Sequence, residues 1–481
     1  MLSRQMLKES GRGTHGSAGA PPDRHPGRVV GLVAAGALVS ALAQSLFVPV
    51  LPTLPAQLGT SASTTQWLVT STVLAGAVAV PLFGRLGDLY GKRRMLLVSL
   101  ATMVVGSLMT AMSSSIGWLI VGRTVQGLAA GTVPLGISLV AAVVPAERQA
   151  SGVALISGML GVGGALGLPM AGVICQYVDY HVLFWITFAV ALTAFLGILA
   201  GVREAPAQAS GHLDVRGAVL LSLTLLALLV PLSEAGVWGW GSPLTLGLLL
   251  LSVVLGAAFG WAQLRTDQPL VDVTTLVRRP ILLADLASVL IGFSMFGSIL
   301  GTSSYVQAPA ATGYGFGGSV ALAGLTLLPA GLAMLVCAPV AARMIARIGA
   351  GGTLAVGSLV TALGWGMRIV LTSTLAWVTA GTTMVGAGVG LCFAALPAVI
   401  NANAPREQNA AANGLNALAR SLGISVVTAL CGSILATLVT TVGSATLPAL
   451  AAYRWIFAIC GGGALAAAVM ALGIRGAERA L

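Results

Sequence analysis

Long apolar stretches, parted by short polar or Pro/Gly-bearing breaks, follow one another along this chain from Val29 to Ile474. A helix needs roughly 20 apolar residues to cross about 30 Å of hydrocarbon, and runs of that length predict about fourteen membrane-spanning helices. The first three are expected near Val29–Leu51, Trp67–Leu82 and Met95–Met112, and the last near Trp455–Ile474. The densest polar break is Gly84-Arg85-Leu86-Gly87-Asp88-Leu89-Tyr90-Gly91-Lys92-Arg93-Arg94, with five charges and three glycines. It predicts a tight turn between the second and third spans.

Composition agrees with this pattern. Hydrophobic residues make up 57% of the 481 and charged residues 8%, with a mean hydropathy of +0.96, a balance no water-soluble domain carries. Short loops rich in Lys and Arg stay in the cytoplasm. Arg85, Lys92 to Arg94, Arg148, Arg203, Arg216, Arg265, Arg278, Arg279, Arg343, Arg347 and Arg406 alternate with cation-free breaks at Ser113–Ser115, Gln176–His181, Ser233–Pro243 and Gln307–Gly317. An even number of spans with both termini inside satisfies that alternation. The net charge of +11 then reads as topology and contact with anionic lipid, not as a nucleic-acid footprint.

Pro81-x-x-x-Arg85 followed by Gly91 recurs as Pro339-x-x-x-Arg343 followed by Gly349, and Pro145-x-Glu147-Arg148 recurs as Pro405-x-Glu407-Gln408, both about 260 residues on. A duplicated six-helix unit with two helices inserted between the copies gives this offset. The expected division is a basic cytoplasmic tail over 1–28, a six-helix bundle over 29–202, two extra helices with linkers over 203–280, a second bundle over 281–474 and a short tail over 475–481. The extra helices, near Gly217–Leu232 and Leu244–Gln263, are Leu-rich and almost free of polar residues, which predicts a lipid-facing position. Two repeats that rock about a midplane site are the physical arrangement for alternating access.

Several motifs carry a resemblance. Gly84–Arg94, with Gly84, Asp88, Gly91 and Arg93 in register, resembles the loop signature between helices 2 and 3 of the major facilitator superfamily. Leu119-x-x-x-Arg123-x-x-Gln126-Gly127 resembles its helix 4 signature, and Ser157–Gly172 the antiporter signature of helix 5, with the proline displaced to Gly167-Leu168-Pro169. Asp214-x-x-Gly217, Pro269-Leu270-Val271-Asp272 and Arg420-Ser421-Leu422-Gly423 resemble elements of the fourteen-helix drug:proton antiporter branch. The resemblance covers nearly everything after residue 28. It implies an all-α membrane fold of two six-helix bundles plus two central helices, and a monomer in the cytoplasmic membrane. The implied activity is export of a drug or antibiotic-like molecule in exchange for protons, conferring resistance. One position departs: the branch carries a helix 1 aspartate in a Leu-Asp-x-Thr pattern, whereas this chain reads Leu42-Ala43-Gln44-Ser45. The usual proton carrier is missing.

Individual residues follow from position. Arg123 lies seven residues into the fourth span, about 10 Å deep, and Gln44 reaches a similar depth in the first. An intramembrane arginine is costly unless it faces a cavity or a partner, so Arg123, Gln44 and Gln126 are candidates for substrate or coupling chemistry, with a structural arginine tied to backbone carbonyls or Gln44 as the other reading. Among the acids only Asp285 falls clearly within a span. It either pairs with Arg278 and Arg279 or carries the proton. Arg420 is a gate residue or a structural contact. Gly84, Arg85, Asp88, Gly91 and Arg93 suit a charge latch between two conformers, and Gly163, Gly167, Pro169 and Gly172 suit close helix packing. Glu234, Asp179 and His181, at outer helix ends, are expected to be solvated.

No Gly-x-x-x-x-Gly-Lys-Ser/Thr phosphate loop is present, the five cysteines lack metal-ligand spacing, and the four histidines do not cluster. A nucleotide-driven pump, a metal site and a membrane enzyme are therefore disfavoured, and no cofactor is expected. A facilitator-type importer or uniporter of a metabolite is the alternative to an exporter, and a non-transporting sensor a distant one.

Overall fold

A computed structural model of the chain describes residues 26–47, 54–204, 211–442 and 445–479. The basic tail expected over 1–28 thus lies, up to residue 25, outside the described residues, as do residues 480–481. Among the described residues thirteen helices are long and apolar enough to cross a membrane. One of them, Val320–Val370, has 51 residues, more than twice what a bilayer takes. It breaks at Gly349, whose φ of 79° and ψ of 169° leave the helical region, so it holds two spans and the total is fourteen.

The spans are α1 (Pro26–Ser45), α2 (Ala62–Tyr90), α3 (Lys92–Ala111), α4 (Ile116–Val143), α5 (Ala146–Tyr177), α6 (His181–Gly201), α7 (Val215–Trp238) and α8 (Pro243–Gln263). After them come α9 (Arg279–Gln307), α10 (320–348), α11 (350–370), α12 (Leu375–Asn403), α13 (Asn409–Thr437) and α14 (Leu450–Arg479). A 3-10 turn over Leu128–Gly131 interrupts α4. The tail expected from residue 475 is helical, as the end of α14.

The break at Gly84–Arg94 differs from the expected loop. α2 continues to Tyr90 and α3 starts at Lys92, so Gly91 alone makes the turn. Its φ of 106° is one that only glycine adopts without strain, and its amide still closes the last turn of α2 on Gly87 O. Gly349, at the matching place in the second copy, likewise has positive φ. Pro145 and Pro405 match too, at φ −53°, ψ 143° and φ −57°, ψ 145°. One outer connection is not helical: Val439–Val442 pairs antiparallel with Ala445–Pro448, Val439 opposite Pro448, as suits a β-branched Val-Thr-Thr-Val run.

Buried apolar side chains gather in two bodies. One runs from Ile281 to Ile474 through α9–α14. The other is built from α1–α6, with Ala410 of α13 inserted into it. The two extra helices differ from one another. α8 is almost bare, with 11% of its span buried, as expected for a lipid-facing helix. α7 instead lays Leu221, Leu225 and Leu229, one stripe at four-residue spacing, against Leu74, Ala77 and Val80 of α2 and Ala417 and Leu418 of α13. It covers a seam between the two bodies, because its apolar stripe finds side chains there to interdigitate with.

Candidate functional site

The inner, cation-rich end of the molecule is closed by contacts between the two bodies. Asp88 is fully buried, and its Oδ1 and Oδ2 accept hydrogen bonds from the backbone amides of Ala410 (3.2 Å) and Ala411 (3.0 Å) in the first turn of α13. Those amides have no intrahelical acceptor, and the helix dipole adds to their attraction for an anion. Lys92 Nζ lies 3.8 Å from Asp88 Oδ1. The approach is close because α2 presents glycine: a Cβ on Gly84 would stand 2.8 Å from Ala410 O.

Arg85 and Arg93 are placed differently from the latch reading. Arg93 donates from Nη2 to Leu199 O at 2.7 Å, within its own body, and Arg85 lines an inner pocket with Asp267, Asp272 and Gln408. Glu204 supplies a cap that the sequence analysis passed over. Its two carboxylate oxygens accept from the amides of Arg93 (3.0 Å) and Arg94 (2.9 Å) at the start of α3. Nothing local in the sequence marks that pairing across 111 positions. On the neighbouring linker, burial works to raise the Asp272 carboxyl, but hydrogen bonds from Thr274, Gln408 and Thr275 outweigh it and hold the group below the usual range.

The glycines of α5 form two opposite faces, as about 100° per residue requires. Gly163 and Gly167 face α1, where a Cβ on Gly163 would meet Ala41 Cβ at 2.6 Å and Ser45 Oγ donates to Gly163 O at 2.8 Å. Gly158, Gly161 and Gly172 face α10, and Pro169 packs against Gly324 of that helix. Small residues thus let one helix hold its own body and meet the other along its length.

Between the bodies, at mid-height, lies a cavity of about 220 Å³. Gln44 from α1, Arg123 and Gln126 from α4 and Arg420 from α13 all line it. Arg123 is 3% exposed. It donates from Nη1 to Ala43 O (3.1 Å) and Gln126 Oε1 (3.0 Å) and from Nε to Leu68 O (3.3 Å), with its guanidinium 4.4 Å from the Phe47 ring centre. The carbonyls named in the structural reading are there; Gln44 is not among its hydrogen-bond partners. Gln126 in turn donates to Ser107 Oγ at 2.8 Å. Arg420 stacks over Phe393 at 4.9 Å.

Asp285 does not line this cavity. Its Oδ1 accepts from Asn416 Nδ2 at 2.9 Å, while Asn416 accepts from Ser288 Oγ at 3.3 Å. Neither Arg278 nor Arg279 is its partner. A fully buried Arg368 on α11 was also missed. It stacks on Phe457 (4.1 Å) and Trp365 (4.8 Å) and reaches Ser298 Oγ at 3.5 Å. A lone cation inside an apolar run was the available signal. Glu234, expected to be solvated, is 4% exposed, and Asp179 and His181 pair with each other.

Two bundles of six helices, a helix pair between them and a shared midplane cavity define a transporter of the major facilitator class. The chain belongs to the Major Facilitator Superfamily, whose family model matches residues 33–428 and again 291–480. It is a multi-pass protein of the cytoplasmic membrane. It is 31% identical over 408 residues to the tetracenomycin C resistance and export protein of Streptomyces glaucescens, covering 84% of this chain and 75% of that one. It is 30% identical over 427 residues to the puromycin resistance protein pur8 of Streptomyces alboniger, covering 85% and 82%. The crystal structure of the human organic anion transporter MFSD10 (TETRAN) shares the fold, at a TM-score of 0.66 and 17% identity over 93% of this chain and all of that one.

Proposed function

We propose that this chain is a secondary active exporter that carries a drug or antibiotic-like small molecule out of the cell by alternating access, in exchange for protons, and so confers resistance. The observation that carries the reading is the pairing of a midplane cavity lined from both bodies with an inner end sealed by Asp88 on α13. That is the inner-closed member of a two-state cycle. Relatives named for export of tetracenomycin C and resistance to puromycin support the direction and the kind of cargo.

Helix α13 supplies a route for coupling. Within about three turns it carries Ala410 and Ala411 at the latch, Asn416 on Asp285 and Arg420 in the cavity. Gain or loss of a proton at Asp285 acts on Asn416 and, through the same rigid helix, on both ends of the cycle. Asp88, with Gly84 allowing the close approach and Gly91 the turn, forms the latch, with Arg85 and Arg93 beside it and outside it; Pro169 and Gly172 line the seam between the bodies, and Gly163 and Gly167 hold α5 to α1. The test is drug accumulation in cells expressing the chain, with and without a protonophore, across an antibiotic panel. Reduced accumulation that the protonophore reverses is expected, with Asp285→Asn losing the pH dependence. Lowered accumulation that is indifferent to the protonophore removes the proton from this reading, and raised accumulation replaces the exporter with an importer.

A further inference from the structure

The charge inside the central cavity is one-sided. Arg123 and Arg420 line it, one from each body, and among the described residues no Asp, Glu or His lines it. Arg123 uses Nε and Nη1 on protein acceptors, and its Nη2 makes no hydrogen bond among the described residues. The Arg420 guanidinium makes no hydrogen bond among them; the ring of Phe393 is its one aromatic contact. Asp88 is held on Ala410 and Ala411 and Asp285 on Asn416, and Glu234, buried on α7, is not among the described residues that line the cavity.

Arginine stays protonated in proteins, and an intramembrane cation is costly unless a counter-ion or a wet cavity receives it. A second cation close to either guanidinium is opposed by like-charge repulsion, stronger in a partly dehydrated cavity than in water. A carboxylate, sulfonate or phenolate oxygen instead meets donors in a fork geometry that suits it. Beyond the uncharged polar groups of Gln44, Thr72, Gln126 and Ser421, much of the wall is apolar, with Met103, Leu160, Met295, Phe296, Ile299 and Phe393.

We infer that the cargo is an amphipathic organic anion, with one acidic group held between Arg123 and Arg420 and an apolar, aromatic body against the wall between the two bodies of the protein. This rests on the transporter reading but not on proton exchange. Outward movement of an anion runs with an inside-negative potential. That drive needs no carboxylate at the α1 position occupied by Ala43.

The test uses three dyes and the purified full chain in nanodiscs, then in proteoliposomes. 8-Anilinonaphthalene-1-sulfonate is the anion, N-phenyl-1-naphthylamine the same body without the acid, and ethidium the cation. The anion is expected to bind at least tenfold tighter than either comparison dye. Arg420→Gln should remove that advantage while leaving the neutral dye unchanged, and Arg420→Lys should keep part of it. Because Arg420 has no hydrogen-bond partner to strand, the variant leaves the fold intact, and unchanged binding of the neutral dye checks this. Equal binding of the three dyes, or anion binding indifferent to Arg420→Gln, overturns the inference. Transport separates the two readings: export of ethidium or of the neutral dye alone keeps the exporter and rejects the anion, whereas Arg420-dependent anion binding without movement of any dye keeps the anion site and rejects the exporter.

Discussion

The two inner turns, between α2 and α3 and between α10 and α11, share a backbone and differ in what they hold. Gly91 and Gly349 take the same role at positive φ, and Arg85 recurs as Arg343. Asp88, however, is fully buried on the start of α13, whereas Ala346 stands at the matching place, exposed, with Arg343 and Arg347 exposed beside it. Duplication supplied the turn twice, but only one copy kept the carboxylate that grips the other body. The second seam, α5 on α10, is held by glycine contacts instead. A pseudo-symmetric bundle thus closes its inner end with one polar clamp and one apolar seam.

The comparison can be broken most severely at Asp88. Two hydrogen bonds from amides to a charged acceptor, at about 1.5–3 kcal/mol each, bias the closed state. Asp88→Asn is expected to lower the initial efflux rate about 10- to 100-fold at unchanged membrane abundance, read by cell efflux and immunoblot; efflux within twofold of the unaltered protein would show that the clamp does not set the cycle. Next comes Gly84→Ala, whose new Cβ meets Ala410 O at 2.8 Å. An overpacking cost of about 1–3 kcal/mol predicts a loss of about tenfold, while Gly366, with nothing within 4 Å, should tolerate alanine.

A smaller effect tests the second copy by restoring its acid. Ala346 takes the place of Asp88 in the second copy, as α5 takes that of α13, so Ala346→Asp restores the missing carboxylate at the inner end of α10, the helix that packs on α5. A helix-dipole interaction of about 0.3–1 kcal/mol should favour closure and slow turnover about two- to fivefold. Faster or unaltered turnover would show that the two seams are not interchangeable. Arg343→Ala, on an exposed side chain, should change efflux less than twofold, against a much larger loss for Arg123→Ala measured in the same assay.

Much of the candidate site was legible because intramembrane polar residues are expensive and therefore conspicuous. Gln44, Arg123, Gln126 and Arg420 stand out in apolar runs, and all four line one cavity. Partners were harder to read. Asp285 lies as close in sequence to Arg278 and Arg279 as to anything polar, yet bonds Asn416, 131 positions away. Lys92, not Arg85 or Arg93, sits beside Asp88, because the one-residue turn at Gly91 sets the start of α3 directly beside the end of α2.

The sequence by itself determined the membrane class, the fourteen spans, the inner placement of cations and the repeat, since each depends on apolar length or charge within a short window. The turns themselves belong here too; that Gly91 and Gly349 each make one at positive φ is what the structure adds. Only the tertiary structure decided that Asp88 meets Ala410 across 322 positions, that Glu204 caps α3, that α7 covers a seam while α8 faces outward, and that two arginines from different bodies share a cavity with no acid among its described lining residues. Those facts depend on which helix faces which. In a chain where nearly every helix is apolar, hydropathy does not distinguish one neighbour from another; the close fit of glycines and the few buried polar groups does.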